Sequence, residues 1–217
     1  MTSAGRAKLP RAPDRRRLQR LAPAVVPIRA GTLVHRVYRR GGVYRSSWST
    51  LRDFGPTDAR FDHHLVDETG VPQRQDRAIG YYAGDIPTAL AETFQSGRLV
   101  DRQRDQPWLA SFHLTRDLRV LDLTGTFAVQ AGGSMKLVSG PRSWSQNWSR
   151  AFYECYPEVE GLYYPSSLTN LPAMAIYERV LRSSPFPAAP VLHRALADPL
   201  LIDALREASA MIGYDLM

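Results

Sequence analysis

The 217-residue sequence holds a single cysteine, Cys155. No intrachain disulfide can form, and a cysteine-rich zinc site is excluded. Long apolar runs are missing too, so no stretch is suited to span a membrane. The arginine-rich N-terminus lacks the apolar core, about 7–15 residues long, of a secretory signal. A cytoplasmic protein without membrane contact is the expectation. There is no G-x-x-x-x-G-K-[ST], which excludes a P-loop, and no G-x-G-x-x-G, so a dinucleotide would not be held in the Rossmann manner. No internal repeat is visible.

What is present describes one ordinary globular domain, 44% apolar and 23% charged. A net charge of +7 would point to nucleic acid if it were spread over the body. Its distribution says otherwise. Residues 1–29 carry eight of the 28 basic and one of the 21 acidic residues, which leaves 20 of each for residues 30–217. The excess belongs to a basic, proline-containing N-terminal segment with too little apolar content to fold alone. We expect a mobile arm over residues 1–29, with a short helix near Arg15–Leu21 and nucleic-acid contact as the minority reading.

The body opens on a strand, Gly31–Tyr38, with Arg36 at its centre. A long irregular stretch follows, containing Trp48, Gly55-Pro56 and a short extended piece at Ala59-Arg60-Phe61-Asp62. Loops of that length are uncommon unless they bind something. The tandem His63-His64 beside Asp62 invites a metal, but adjacent side chains on an extended chain point apart. A surface pair is expected, and no metal site is assigned. Later strands are expected at Trp108–Leu114, Arg119–Leu123, Gly161–Tyr164 and Ala173–Val180, and the segment from Gly125 to Trp144 reads as loop with at most a short helix. Trp148, Phe152, Cys155 and Val159 share one helical face, which places the cysteine in the core rather than in catalysis. A last helix, capped at Asp198-Pro199, carries Leu201, Leu205, Ala208 and Ile212 and ends at Gly213. The order of elements is that of an α+β domain with a mixed sheet and flanking helices.

One junction organises the rest. Tyr81-Tyr82-Ala83 favours an extended run, Gly84 breaks it, Asp85 can cap a helix, and Pro87 is tolerated in a first turn. Ile86, Leu90 and Phe94 then form an apolar stripe. Glu92 falls about 160° around the helix from that stripe's centre, at ~100° per residue. It is therefore free of the packing face, either solvated or held over a cleft.

Arg36, Glu92 and Ser166 stand in an order that resembles the RES domain family, named for an arginine, a glutamate and a serine. The contexts agree: a strand carrying the arginine, an A-R-F element at Ala59-Arg60-Phe61, a Tyr-Ala element at Tyr82-Ala83, an A-x-x-E helix at Ala89–Glu92, and a P-S element at Pro165-Ser166. The likeness spans roughly residues 31–182. Arg39 and Arg40 neighbour Arg36, and Ser167 adjoins Ser166, so each assignment has an alternative of the same type close by.

The resemblance implies a fold like that of ADP-ribosyltransferase toxins, with residues 30–217 as the catalytic domain. It also implies an activity that consumes NAD as substrate, with no further cofactor. On that basis Glu92 is the carboxylate facing the ribose, Arg36 and Arg60 hold the pyrophosphate, Tyr82 stacks on nicotinamide, Tyr38 adds to NAD binding, and Ser166 fixes a ribose or the amide. A helix-turn-helix antitoxin is the implied partner, and homo-oligomerisation is left open. NAD glycohydrolase or phosphorylase activity is the expected function. The alternatives are a mono-ADP-ribosyltransferase acting on a macromolecule and a catalytically silent partner-binding module.

Overall fold

The computed structural model of the protein describes residues 9–217. In chain order its strands are β1 (Val25–Ile28), β2 (Leu33–Arg39), β3 (Arg52–Gly55), β4 (Gln73–Ala83), β5 (Leu99–Val100), β6 (Pro107–His113), β7 (Leu118–Asp122), β8 (Gly161–Pro165), β9 (Pro172–Tyr177), β10 (Leu192–Ala195) and β11 (Asp215–Leu216). Its helices are α1 (Arg15–Arg20), α2 (Ile86–Phe94), α3 (Phe127–Gln130), α4 (Lys136–Ser139), α5 (Arg142–Cys155) and α6 (Ile202–Ile212). This is the expected α+β architecture. No helix of the described residues is long and apolar enough to cross a membrane.

Eight of the strands run across one mixed sheet in the order β1-β7-β8-β9-β4-β2-β6-β10, with β3 paired to β4 off that path. Only β7 and β8 run parallel within it. Alternation along the strands sorts side chains to two cores. In β9, Ala173, Ala175 and Tyr177 join the core under α5 with Trp148 and Phe152, while Met174 and Ile176 join Phe112 and Val120 on the other face. A third cluster packs α2 against α6 through Leu90, Phe94, Leu201 and Leu205. Gly213 ends α6 in the left-handed region at φ 66°, where a residue without Cβ is unstrained.

Several expectations are corrected. Residues 9–29 are not an arm apart from the body. Leu9 and Leu18 are almost fully buried in the core under α5, and β1 pairs along β7 from Val25↔Leu121 to Ile28↔Leu118. The rest of the expected arm, residues 1–8, lies outside the described residues. The stretch expected to be irregular contains β3, and the extended run expected at Tyr81–Ala83 is the end of an 11-residue strand, β4, that begins at Gln73. His63 and His64 are fully buried rather than superficial. The His64 Nδ1–H donates to the buried Asp62 at 2.5 Å and the His63 Nε2–H to the partly buried Glu178 at 3.2 Å, so each ring has one nitrogen paired with a carboxylate in place of water. The segment around Arg60-Phe61 is a turn, α5 stops at Cys155, and Cys155 is only half-buried at the edge of the core.

Candidate active site

The site owes its position to a splay in the sheet. Strands β2 and β4 are neighbours, yet they pair only at His35↔Ala83. Beyond that point they part, and a cavity of about 540 Å³ opens between them, bounded by α2, the turn at Asp58–Arg60 and the start of α5. Arg36 and Tyr38 from β2, Tyr81 and Tyr82 from β4, Glu92 from α2, and Arg60 all line it.

Helix α2 is built as its sequence requires. The Asp85 side chain caps it by accepting from the Thr88 N–H at 2.7 Å, and Pro87 sits in the first turn. Leu90 and Phe94 go to the core, which leaves Glu92 facing the cavity. There the Ser166 hydroxyl, 2% exposed, donates to Glu92 Oε1 at 2.6 Å. The Ser166 Oγ in turn accepts from the Leu168 and Thr169 N–H groups at 3.2 and 3.4 Å. Ser166 thus lies behind the carboxylate and braces it, while Ser167 lines the cavity itself.

Arg36 is buried, and its Nη1 donates to the carbonyls of Trp48 and Thr50 at 3.1 and 2.7 Å and to the Tyr82 hydroxyl at 3.2 Å. These bonds fix one edge of the guanidinium. Its neighbours are placed otherwise. Arg39 is exposed at the rim, 3.9 Å from Asp105, and Arg40 lies over the Trp108 ring at 3.8 Å. Arg60 donates to the Gly140 carbonyl at 2.7 Å and to Ser145 at 3.4 Å. Burial, then the nearby Arg142 guanidinium, draw the Arg60 pKa below its usual range, and Glu92 opposes them.

The tyrosines depart from expectation. Tyr82 is 4% exposed, its ring packed edge-on to Phe112 with centroids 5.8 Å apart and beside Phe186 at 5.8 Å. Its hydroxyl braces Arg36, so the ring is a core element rather than a free stacking surface. Tyr38 shares a 2.5 Å hydrogen bond with His193 Nε2 and is likewise almost fully buried. Tyr81 and Tyr44 also line the cavity, and Tyr44 is 71% exposed at its mouth. Sequence reasoning passed over both, along with Arg52 and Arg142. Arg142 carried one signal: a cation at the start of a helix is the wrong sign for the helix dipole.

Among the named site residues, Glu92, Arg36, Arg60, Tyr38 and Tyr82 therefore meet at one cavity, and Ser166 meets it through Glu92. The Glu92 carboxylate, with Asp58 at the solvent edge, faces guanidinium groups in a sheltered space. Such an arrangement can hold a multiply charged anion and stabilise positive charge that develops close to the carboxylate.

A mixed-sheet α+β domain with a carboxylate–serine pair beside clustered arginines is the class defined so far. The family model of the RES domain matches residues 33–197, and the chain belongs to that family. Among solved structures, the chain resembles one from the crystal structure of the M. tuberculosis MbcT–MbcA toxin–antitoxin complex, at 16% identity and a TM-score of 0.57. The likeness covers 89% of this chain and 96% of that one, and it is a likeness of fold. No curated protein matches the sequence.

Proposed function

We propose that the protein consumes NAD by breaking the bond between nicotinamide and ribose, and that it is the toxin of a toxin–antitoxin pair acting in the cytoplasm. The observation that carries the enzymatic reading is the Glu92 carboxylate, oriented by Ser166 and opposite Arg36 and Arg60 in one cavity. The cavity's size falls in the range of small-molecule sites, about 300–1,000 Å³. The toxin reading is supported by membership of the RES family and by the fold shared with a component of a toxin–antitoxin complex.

The chemistry follows from the substrate's charges. In NAD the nicotinamide is a pyridinium, so it departs as a neutral molecule and needs no general acid. Positive charge then develops on the ribose, as in glycosyl transfers with oxocarbenium character. Glu92 stabilises that charge, and it is preorganised to do so because Ser166 and the backbone behind it hold the carboxylate still. Arg36 and Arg60 offer forked donors to the pyrophosphate, with their orientation set in advance by carbonyl bonds. Tyr82 keeps Arg36 in place. No further cofactor enters this scheme.

The full-length protein incubated with NAD, with and without inorganic phosphate, should release nicotinamide. Mass analysis of the sugar product identifies the acceptor as water, phosphate or a macromolecule. Absence of nicotinamide release under all these conditions would overturn the enzymatic reading.

A further inference from the structure

The arginines that line the cleft differ in what holds them. Arg36 and Arg60 are tied to backbone carbonyls, and Arg52 is tied to Asp62, a fully buried carboxylate 3.1 Å away. Arg142 has a different partner. Its Nη1 pairs with Asp58, whose side chain is 82% exposed, and its Nη2 donates to the Gln95 side chain at 2.6 Å. Ion pairs at the surface contribute about 0–1 kcal/mol. Another anion can therefore replace Asp58 at small cost, whereas displacing a part-buried carbonyl or the buried Asp62 carboxylate breaks a bond that is less readily replaced by water.

Two further observations bear on Arg142. It is the first residue of α5, an end no side chain caps, where the helix dipole disfavours a cation. It also stands close enough to Arg60 to repel it. Two guanidiniums from separate elements thus crowd one end of the cavity. The carboxylates on that wall are Glu92, committed to Ser166, and Asp58 at the solvent edge.

We propose that Arg142 is a phosphate-binding residue of the cleft, acting with Arg60, and that Asp58 is an internal placeholder displaced when a diphosphate enters. The identity of the diphosphate as part of NAD rests on the functional reading above; the anion pair itself does not. A diphosphate carries more charge than a carboxylate and can accept from both forks at once. It relieves the repulsion between Arg60 and Arg142, and Asp58 returns to water. The cleft would thereby favour ligands with a diphosphate over nucleosides or nicotinamide alone.

Calorimetric titration of the full-length protein with inorganic pyrophosphate, and separately with ADP-ribose, tests this. Arg142→Gln should weaken both ligands by about tenfold or more. Asp58→Asn should strengthen both by about threefold, because it removes the competitor. In the double variant Asp58→Asn should add nothing, since there is no longer a guanidinium to free. A merely structural ion pair would not give opposite signs for its two partners. Unchanged melting temperatures identify folded variants, and Arg142→Lys, which keeps the charge without the fork, serves if the glutamine variant fails to fold. Pyrophosphate that does not bind the wild type, an Arg142→Gln with wild-type affinity, or an Asp58→Asn at or below wild-type affinity each overturns the proposal. If pyrophosphate responds as expected while NAD is neither bound nor cleaved, the anion pair stands and the NAD reading falls. If Arg142→Gln cleaves NAD with an unaltered KM, the reverse holds.

Discussion

Ser166 and Glu92 are 74 residues apart in sequence and joined by a 2.6 Å hydrogen bond from hydroxyl to carboxylate. The serine's hydrogen is spent on the glutamate and its oxygen accepts from two backbone N–H groups, so it has little left to offer a ligand. Its part is to aim Glu92.

That division of labour sets the expected kinetics. Glu92→Gln keeps the shape of the side chain but removes its charge, and kcat should fall by about 10²–10³ with little change in NAD affinity. Ser166→Ala leaves the charge and loosens its aim, so kcat should fall by only about tenfold, within the range for one hydrogen bond to a charged group. Steady-state kinetics on both variants checks the order. If Ser166→Ala is as damaging as Glu92→Gln, the serine contacts the reacting atoms.

Arg36→Lys should not behave as a conservative change. A lysine ammonium cannot donate to Trp48 and Thr50 and still present a flat fork to a pyrophosphate. NAD binding should weaken by about 1–3 kcal/mol. Equilibrium titration with NAD is the measurement, and wild-type affinity would remove Arg36 from the binding site.

The N-terminal segment is expected to matter for stability. Leu18 is fully buried against the core under α5, and the Tyr156 hydroxyl donates to its carbonyl at 2.9 Å. Leu18→Ala should cost about 2–5 kcal/mol, read as a lower urea midpoint, while the KM for NAD of the folded fraction stays put. Deleting residues 1–28 should be harsher, because it also strips β1 from the sheet edge and exposes β7.

Acid should loosen the body through Glu178. Burial alone would raise this carboxyl's pKa, but hydrogen bonds from His63, Tyr153 and the Ala78 N–H outweigh it and bring it to about 2 from an ordinary 4.5. The unfolded chain therefore takes up a proton at higher pH than the folded one. Glu178 contributes stability above pH ~4.5, and that contribution is lost as pH falls toward 2. Asp62 is depressed in the same direction, against its own burial, by bonds from His64 and the Arg52 charge. Denaturant midpoints measured from pH 6 downward should fall across this window, and Glu178→Gln should flatten the slope.

Where local chemistry decides structure, the sequence is informative. Asp85 and Pro87 announce the start of α2, Gly213 the end of α6, and the position of Glu92 off the apolar stripe follows from helical spacing alone. Where a partner distant in sequence decides, it is not. The segment Gln73–Arg77 is polar and shows no strand pattern, yet it extends β4 along β3 at the sheet's solvated edge. His63 and His64 look superficial until Asp62 and Glu178 are seen beside them. Residues 9–29 look too polar to fold, and a few apolar anchors, with Leu18 foremost, are enough once α5 is there to receive them. For the site, the motif residues were visible, but the bracing role of Ser166, the core placement of Tyr82 and the presence of Arg142 depend on tertiary geometry.

The sheet order has a consequence for how the molecule comes into being. Strands β8 and β9 are made late in synthesis, yet they occupy the middle of the sheet and join β1-β7 on one side to β4-β2-β6 on the other. A chain halted before Gly161 already contains Arg36, Arg60 and Glu92, but its two half-sheets have no seam between them and the carboxylate has no serine to steady it. The cavity and the braced carboxylate are therefore completed only when the seam strands emerge, so the candidate site is a property of the whole sheet rather than of the segment that carries Arg36, Arg60 and Glu92.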